Sequence, residues 1–255
     1  MSNNPFTALP GQGRTPVLTH VSIGSSLVAE HLAHAGYDAL IVDLQHGDID
    51  LREATRMLQA ISTTAVVPMV RVPGIDHGII AKVLDSGSRG VMCPVMETAA
   101  DCADFIAATR YPPLGSRSYG PLRPGLYPGA DFGDEANAAV TTIVQIETAL
   151  GVENAEDILS TPGLDAVYIG PTDLSRSYGD GFAADFDSGP VYEAIKRVAK
   201  IARSNGVLMG LFCADAGYAR RMASDGLVDF LGVGTDIGLL GAAARLSLAE
   251  VRGAF

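Results

Sequence analysis

The sequence predicts a closed (β/α)₈ barrel, and three observations lead there. Short, apolar, β-branched runs alternate with amphipathic stretches along the whole chain. The runs are nearly continuous in hydrophobicity, as strands covered on both faces must be. The length, 255 residues, is the usual size of one such barrel. A doubly wound open sheet would share the alternation. No Gly-x-Gly-x-x-Gly follows the first strand, however, so the closed barrel is favoured. The expected organisation is one catalytic barrel domain over residues 1–255, with no linker and no internal repeat.

Strands are predicted at Val17–Ile23, Ala39–Asp43, Val66–Arg71, Gly90–Pro94, Thr142–Glu147, Ala166–Gly170, Val207–Phe212 and Asp229–Gly234. Helical patterns lie between them. In Leu51–Ser62, the residues Leu51, Ala54, Met57, Leu58 and Ile61 share one face. Further helices are expected at Leu27–Ala35, Gly78–Ser86, Thr98–Thr109, Gly151–Leu159, Pro190–Ser204, Ala214–Ser224 and Ala242–Arg252. Gly36, Gly87, Gly206 and Gly226 follow helices and read as stop signals. The longest irregular stretch runs from Arg110 to Asp134 and holds Pro112, Pro113, Pro121, Pro124 and Pro128. It reads as a long loop after strand 4, a place where function often sits.

Composition narrows the partners. Eighteen Lys and Arg against 29 Asp and Glu leave a net charge of −11. Such a chain repels phosphate backbones and anionic lipid, so neither nucleic acid nor membrane is an expected partner. No apolar run is long enough to span a bilayer. The first residues lack the pattern of a signal peptide, so a cytoplasmic location is expected. Cys93, Cys102 and Cys213 lack Cys-x-x-Cys spacing and read as reduced, buried thiols.

Barrel active sites lie at the C-terminal ends of the strands. Strand 2 ends in Asp43-Leu44-Gln45-His46, strand 3 in Arg71, strand 5 in Gln145-Ile146-Glu147, and strand 6 in Gly170-Pro171-Thr172-Asp173. Apolar strands gain no stability from ending in charge. Glu147 and Asp173, on adjacent strand ends, suit a hard cation such as Mg²⁺ or Mn²⁺. They equally suit helix caps or ion pairs with Arg. Arg71 could fork onto a carboxylate or a developing oxyanion, or pair with Glu147 or Asp43. His46 follows Asp43 by three residues, so the carboxylate could orient its ring; read alone, it is more simply a satisfied loop histidine. His31, His34 and His77 read as surface or packing residues. All three lysines, Lys82, Lys196 and Lys200, fall in helical stretches, so a Schiff-base mechanism is not expected. Gly232-Val233-Gly234-Thr235-Asp236 after strand 8 reads equally as a phosphate cradle or as turn glycines.

At these residues the chain resembles the metal-dependent class II pyruvate aldolases, of the 4-hydroxy-2-oxo-heptanedioate and 2-dehydro-3-deoxy-glucarate type. The resemblance runs in order through Ile41–Gly47, Val70–Val72, Lys82–Gly87, Arg110–Arg117, Val144–Thr148 and Val167–Ser175. It implies that Glu147 and Asp173 hold Mg²⁺, Mn²⁺ or Co²⁺, and that pyruvate binds there. Arg71 would bond the C2 oxygen, Gln145 would sit beside the keto acid, and the amides of Gly170, Pro171 and Thr172 would hold its carboxylate. His46, oriented by Asp43, would be the acid/base group. Asp85 would assist the histidine of a neighbouring subunit. His20, where relatives often carry a large aromatic residue, would line the aldehyde side with Phe212. Gln45 stands where the family usually has Glu. The resemblance implies a homo-hexamer, a trimer of dimers with a swapped C-terminal helix, and no nucleotide cofactor. The rival readings are a malyl- or citramalyl-CoA type lyase, a phosphate-binding barrel isomerase and a non-catalytic barrel subunit.

Overall fold

The computed structural model describes residues 4–126 and 135–253. Eight parallel strands close into a barrel in sequence order: β1 Val17–Val21, β2 Ala39–Asp43, β3 Val67–Arg71, β4 Gly90–Cys93, β5 Thr141–Ile146, β6 Ala166–Ile169, β7 Leu208–Cys213 and β8 Phe230–Thr235. The helices outside are α1 Ser26–Ala33, α2 Leu51–Ile61, α3 His77–Asp85, α4 Ala99–Thr109, α5 Ala149–Glu153, α6 Ala155–Leu159, α7 Pro171–Ser177, α8 Gly189–Asn205, α9 Ala216–Ser224 and α10 Asp236–Arg252. The (β/α)₈ fold is thus observed, with every predicted strand within two residues of its place. The helix expected at Gly151–Leu159 is broken at Asn154 into α5 and α6. The strand 6 connection carries an extra short helix, α7, that the apolar pattern did not reveal.

Local chemistry sets the helix boundaries. Asp50 caps α2, and Glu53 returns a bond to the Asp50 amide, so two orphan amides are satisfied together. Asp76, Thr98, Thr148, Asp215 and Thr235 cap other helices through their side chains. The four glycines read as stops all have positive φ.

Two apolar layers result from the two-residue period of a strand. Outward residues such as Leu40, Val42, Val70, Val91 and Val144 pack under the helices. Inward residues fill the barrel: Leu18, Ile41, Met69, Met92, Ile143 and Tyr168, with Ala39, Val67, Ala166 and Phe230 below them. Phe6, fully buried, meets Phe230 edge-on at 5.0 Å, so the N-terminal segment plugs the barrel. Continuing the same parity upward gives His20, Asp43, Arg71, Gln145 and Phe212. The last inward position of several strands is therefore the functional layer.

Tyr168 determines what stands opposite it. A Cβ on Gly232 would lie 1.8 Å from the Tyr168 hydroxyl, and one on Gly210 would lie 2.2 Å from the Phe230 ring. These glycines give room to rings in the barrel centre. Gly232 therefore has a packing role inside the barrel, and Gly234 has the positive φ of a turn glycine. Asp236 also places a carboxylate there, accepting from the amides of Ser22 and Ile23 at 2.9 Å each.

The long proline-rich segment brings a correction. Its described part, residues 110–126, follows α4, so it lies at the N-terminal end of the barrel, away from the strand-end layer. Arg117 joins it to Asp85 at 2.7 Å and lies over the Tyr111 ring. Pro128 is outside the described residues.

The three cysteines are free and buried. His31 and His34 are exposed, and His77 pairs with Asp104 at 3.0 Å. Among the described residues, no helix is long and apolar enough to cross a membrane.

Candidate active site

A cavity of about 170 Å³ opens at the C-terminal end of the barrel. It is lined by His20, His46, Arg71, Gln145, Tyr168, Gly170, Pro171, Thr172, Asp173, Phe212 and Thr235. Most of the residues singled out in the sequence meet here, although they span β1 to β8. Tyr168 was given no role in the sequence, and Thr235 only a place in the glycine segment after strand 8. Strand parity could have found Tyr168, which stands two residues before Gly170.

Arg71 ends β3, and Asp43 ends β2 directly beside it in register. Their side chains fork: Arg71 Nε donates to Asp43 Oδ1 at 2.9 Å and Nη2 to Oδ2 at 2.6 Å. Nη1 lies 3.5 Å from Gln145 Oε1. Asp43 is 1% exposed. Burial pushes its carboxyl pKa up, but the Arg71 bonds and charge outweigh that and leave it below the ordinary value. The remaining bonds of Asp43 Oδ1 come from the backbone amides of Gln45 and His46, at 3.1 and 3.3 Å. The expectation that Asp43 orients the His46 ring is corrected accordingly. Its carboxylate holds Arg71 and the loop backbone beneath the histidine. The His46 side chain itself is exposed at the cavity wall.

Glu147 follows β5 and is 2% exposed. The Val95 amide donates to Oε1 at 2.9 Å, and Gln145 Nε2 donates to Oε2. Val95 reaches this position with φ of 51°, a conformation that costs a β-branched residue energy. No sequence signal could have found it, because valine is a poor choice for that backbone. Gly170 packs against the same carboxylate: a Cβ there would lie 2.3 Å from Glu147 Oε2. Among the described residues, Glu147 forms no ion pair with a cationic side chain. Burial raises its pKa to about 7. The Val95 bond opposes this, and the charge of Asp173 adds to it. The cap of α5 is Thr148, so capping does not account for Glu147. Asp173 stands in the first turn of α7.

These observations fit a hard cation. Two neighbouring carboxylates repel each other, and the buried one has no ion-pair partner among the described residues, the Gln145 amide nitrogen and the more distant charge of Arg71 being its polar company on that side. One or two carboxylates, with the rest of the shell from substrate and water, is the usual manner of holding Mg²⁺. Among the described residues no cluster of three or more His, Cys, Asp or Glu offers a protein-only cage.

The amides expected to hold a substrate carboxylate are fewer than the sequence suggested. Pro171 has no N–H, and the Gly170 amide donates to the Ile146 carbonyl at 3.3 Å. Thr172, in the open first turn of α7, is left to supply one. Asp85 ends α3 at the other end of the barrel, paired with Arg117, so it takes no part in its own chain's cavity.

His20 is the inward residue of β1 at the cavity floor, 2% exposed. Its Nε2 lies 3.4 Å from the Tyr168 hydroxyl, and its ring meets Phe212 edge-on at 6.0 Å. Burial, with the charge of Arg71 adding, lowers its pKa to about 3, so the ring is neutral at neutral pH.

Residues 18–243 match the family model described as HpcH/HpaI aldolase/citrate lyase. The hydroxypyruvate/pyruvate aldolase of Rhizorhabdus wittichii is 36% identical over 241 residues, covering 94% of this chain and 96% of that protein. The 2-keto-3-deoxy-L-rhamnonate aldolase of Klebsiella pneumoniae is 33% identical, covering 92% and 88%. A crystal structure of an HpcH/HpaI aldolase/citrate lyase family protein from Burkholderia cenocepacia superposes with a TM-score of 0.86 at 35% identity, covering 98% of this chain and 99% of that one. The chain belongs to the HpcH/HpaI aldolase/citrate lyase family and is a carbon–carbon lyase.

Proposed function

We propose that this protein is a divalent-metal-dependent aldolase that forms a pyruvate-type enolate and adds it reversibly to an aldehyde. One observation carries the reading. Among the described residues the buried Glu147 has no ion-pair partner, and it feels the charge of Asp173, which lines the same cavity as an Arg71 held rigid by Asp43.

Glu147 and Asp173 would hold the ion, Mg²⁺, Mn²⁺ or Co²⁺. When bound, it supplies a Lewis acid that polarises a keto group and acidifies the adjacent carbon. Arg71 lines the cavity, and its Nη1, bonded only at 3.5 Å to Gln145, donates to the C2 oxygen as negative charge builds there. Because Asp43 occupies Nε and Nη2, the guanidinium needs no reorganisation to do so. His46 removes a proton from C3 and returns one to the new alkoxide, directly or through water. Thr172 donates its amide to the substrate carboxylate, and Gln145 packs beside the keto acid.

The reading extends to assembly. Only Asp236 is buried among the residues of α10. Ile237, Leu239, Leu240, Leu246, Leu248 and Val251 are exposed on it. A helix so apolar and so little packed on its own barrel suits exchange with another copy, as in a hexamer built from dimers. The loop residues Leu114, Tyr119, Leu122 and Leu126 are exposed and apolar as well, which supports the same reading.

The test is exchange of the pyruvate methyl protons in D₂O, followed by NMR with Mg²⁺ or Mn²⁺ and then with EDTA. Exchange that needs the metal is expected. No exchange with any of these ions would remove the enolate reading.

A further inference from the structure

Among the buried side-chain nitrogen and oxygen atoms of the cavity lining, all but one are engaged. Arg71 is forked by Asp43, Gln145 is bonded to Glu147, and Thr235 accepts from the Gly238 amide. His20 Nδ1 is buried and has no hydrogen-bond partner. A buried polar atom in that state costs free energy unless something supplies a bond.

Position says what that something is. In a closed eight-stranded barrel, β1 stands across from β5. An oxo acid held against Glu147 and Asp173 therefore extends its far end toward His20. The tautomer says which chemistry. If the Tyr168 hydroxyl donates to Nε2, Nδ1 is a donor; in the other tautomer it is an acceptor. An alcohol can complement either, whereas a carbonyl can only accept. The neighbouring Phe212 ring offers no competing bond and holds the imidazole edge-on.

We propose that His20 is the specificity-determining residue for a hydroxyl on the carbon beside the reacting carbonyl, carried either by the oxo acid or by the aldehyde. This rests on the aldolase reading given above. A site built around an unpaired buried polar group favours the ligand that pairs it and disfavours the apolar analogue.

Two arms distinguish the sources. The first compares C3 proton exchange of hydroxypyruvate and pyruvate. The second compares addition of pyruvate to glycolaldehyde and to propanal, which has a methyl in place of the hydroxyl. In one arm, His20→Phe is expected to lower the ratio of kcat/KM for the hydroxylated over the plain substrate about tenfold. His20→Asn, which retains hydrogen-bonding atoms, is expected to recover part of that ratio. His20→Leu replaces the Phe variant should that one not fold. A ratio unchanged in both arms overturns the assignment while leaving the aldolase reading intact. Wild-type protein that exchanges no pyruvate protons with Mg²⁺ or Mn²⁺ overturns the reading itself, and the assignment with it.

Discussion

Arg71 and Asp43 act as one unit, and their substitution has two separable effects. Arg71→Ala strands a carboxylate that is 1% exposed, so it is expected to destabilise the fold by about 3–5 kcal/mol as well as abolish turnover. Arg71→Lys keeps a positive charge but cannot make the fork. It is expected to fold, with proton exchange slowed about a hundredfold. Thermal melts beside exchange rates separate the two, and a Lys variant with wild-type exchange would take Arg71 out of the chemistry. At Glu147, proton and cation compete. The raised pKa of about 7 keeps the site protonated below that value, so cation affinity is expected to fall as pH drops below 7. For a single competing proton the fall is about tenfold per pH unit. The sign for the metal-free fold follows: a raised carboxyl contributes most below its unfolded value, so stability declines as pH rises toward 7. Calorimetric titration with Mn²⁺ between pH 5 and pH 8 checks the affinity, and a flat profile would contradict it.

Within the elements, strand parity places the site. Inward residues fill the barrel in layers, and the polar set occupies the last inward positions. Tyr168 in β6 depends on small residues across the barrel. Gly232→Ala, with its Cβ 1.8 Å from the Tyr168 hydroxyl, is expected to cost about 1–3 kcal/mol. The same change in a Tyr168→Phe background should cost less, because the nearest clashing atom is gone. Urea denaturation of the four chains in a double-mutant cycle measures this coupling. Strict additivity would mean that the two residues do not share the space.

For the whole molecule, α10 is the helix least packed on its own barrel. Exposed leucines along a terminal helix need a partner surface, and each leucine buried there contributes roughly 1.5–3 kcal/mol. Sedimentation of the wild-type chain is expected to give an oligomer. Leu240→Asp with Leu246→Asp should shift it toward smaller species. A wild-type monomer at micromolar concentration would refute the exchange of α10. Were Asp85 to reach a neighbour's cavity, the same variant would also lose proton exchange.

The barrel, its strand positions and most cavity residues were legible in the sequence because they depend on local rules. Continuous apolar runs mark strands covered on both faces, and charge at their ends is costly enough to signal use. Ile41–Gly47 and Val167–Ser175 pointed to the site through their resemblance to the class II pyruvate aldolases, whereas spacing by itself left ion pairs and helix caps open. What the sequence left undecided was pairing. Whether Asp43 held His46 or Arg71, and which amides of Gly170–Thr172 were available, depended on contacts between different strands. The long segment after Arg110 looked functional by length, yet its end of the barrel followed from where α4 stops. Val95 gave no signal, since its backbone is held against its own preference by Glu147 across the strand gap. Local pattern determines which residues face inward, whereas only closure of the barrel brings β1 opposite β5 and decides which charges meet.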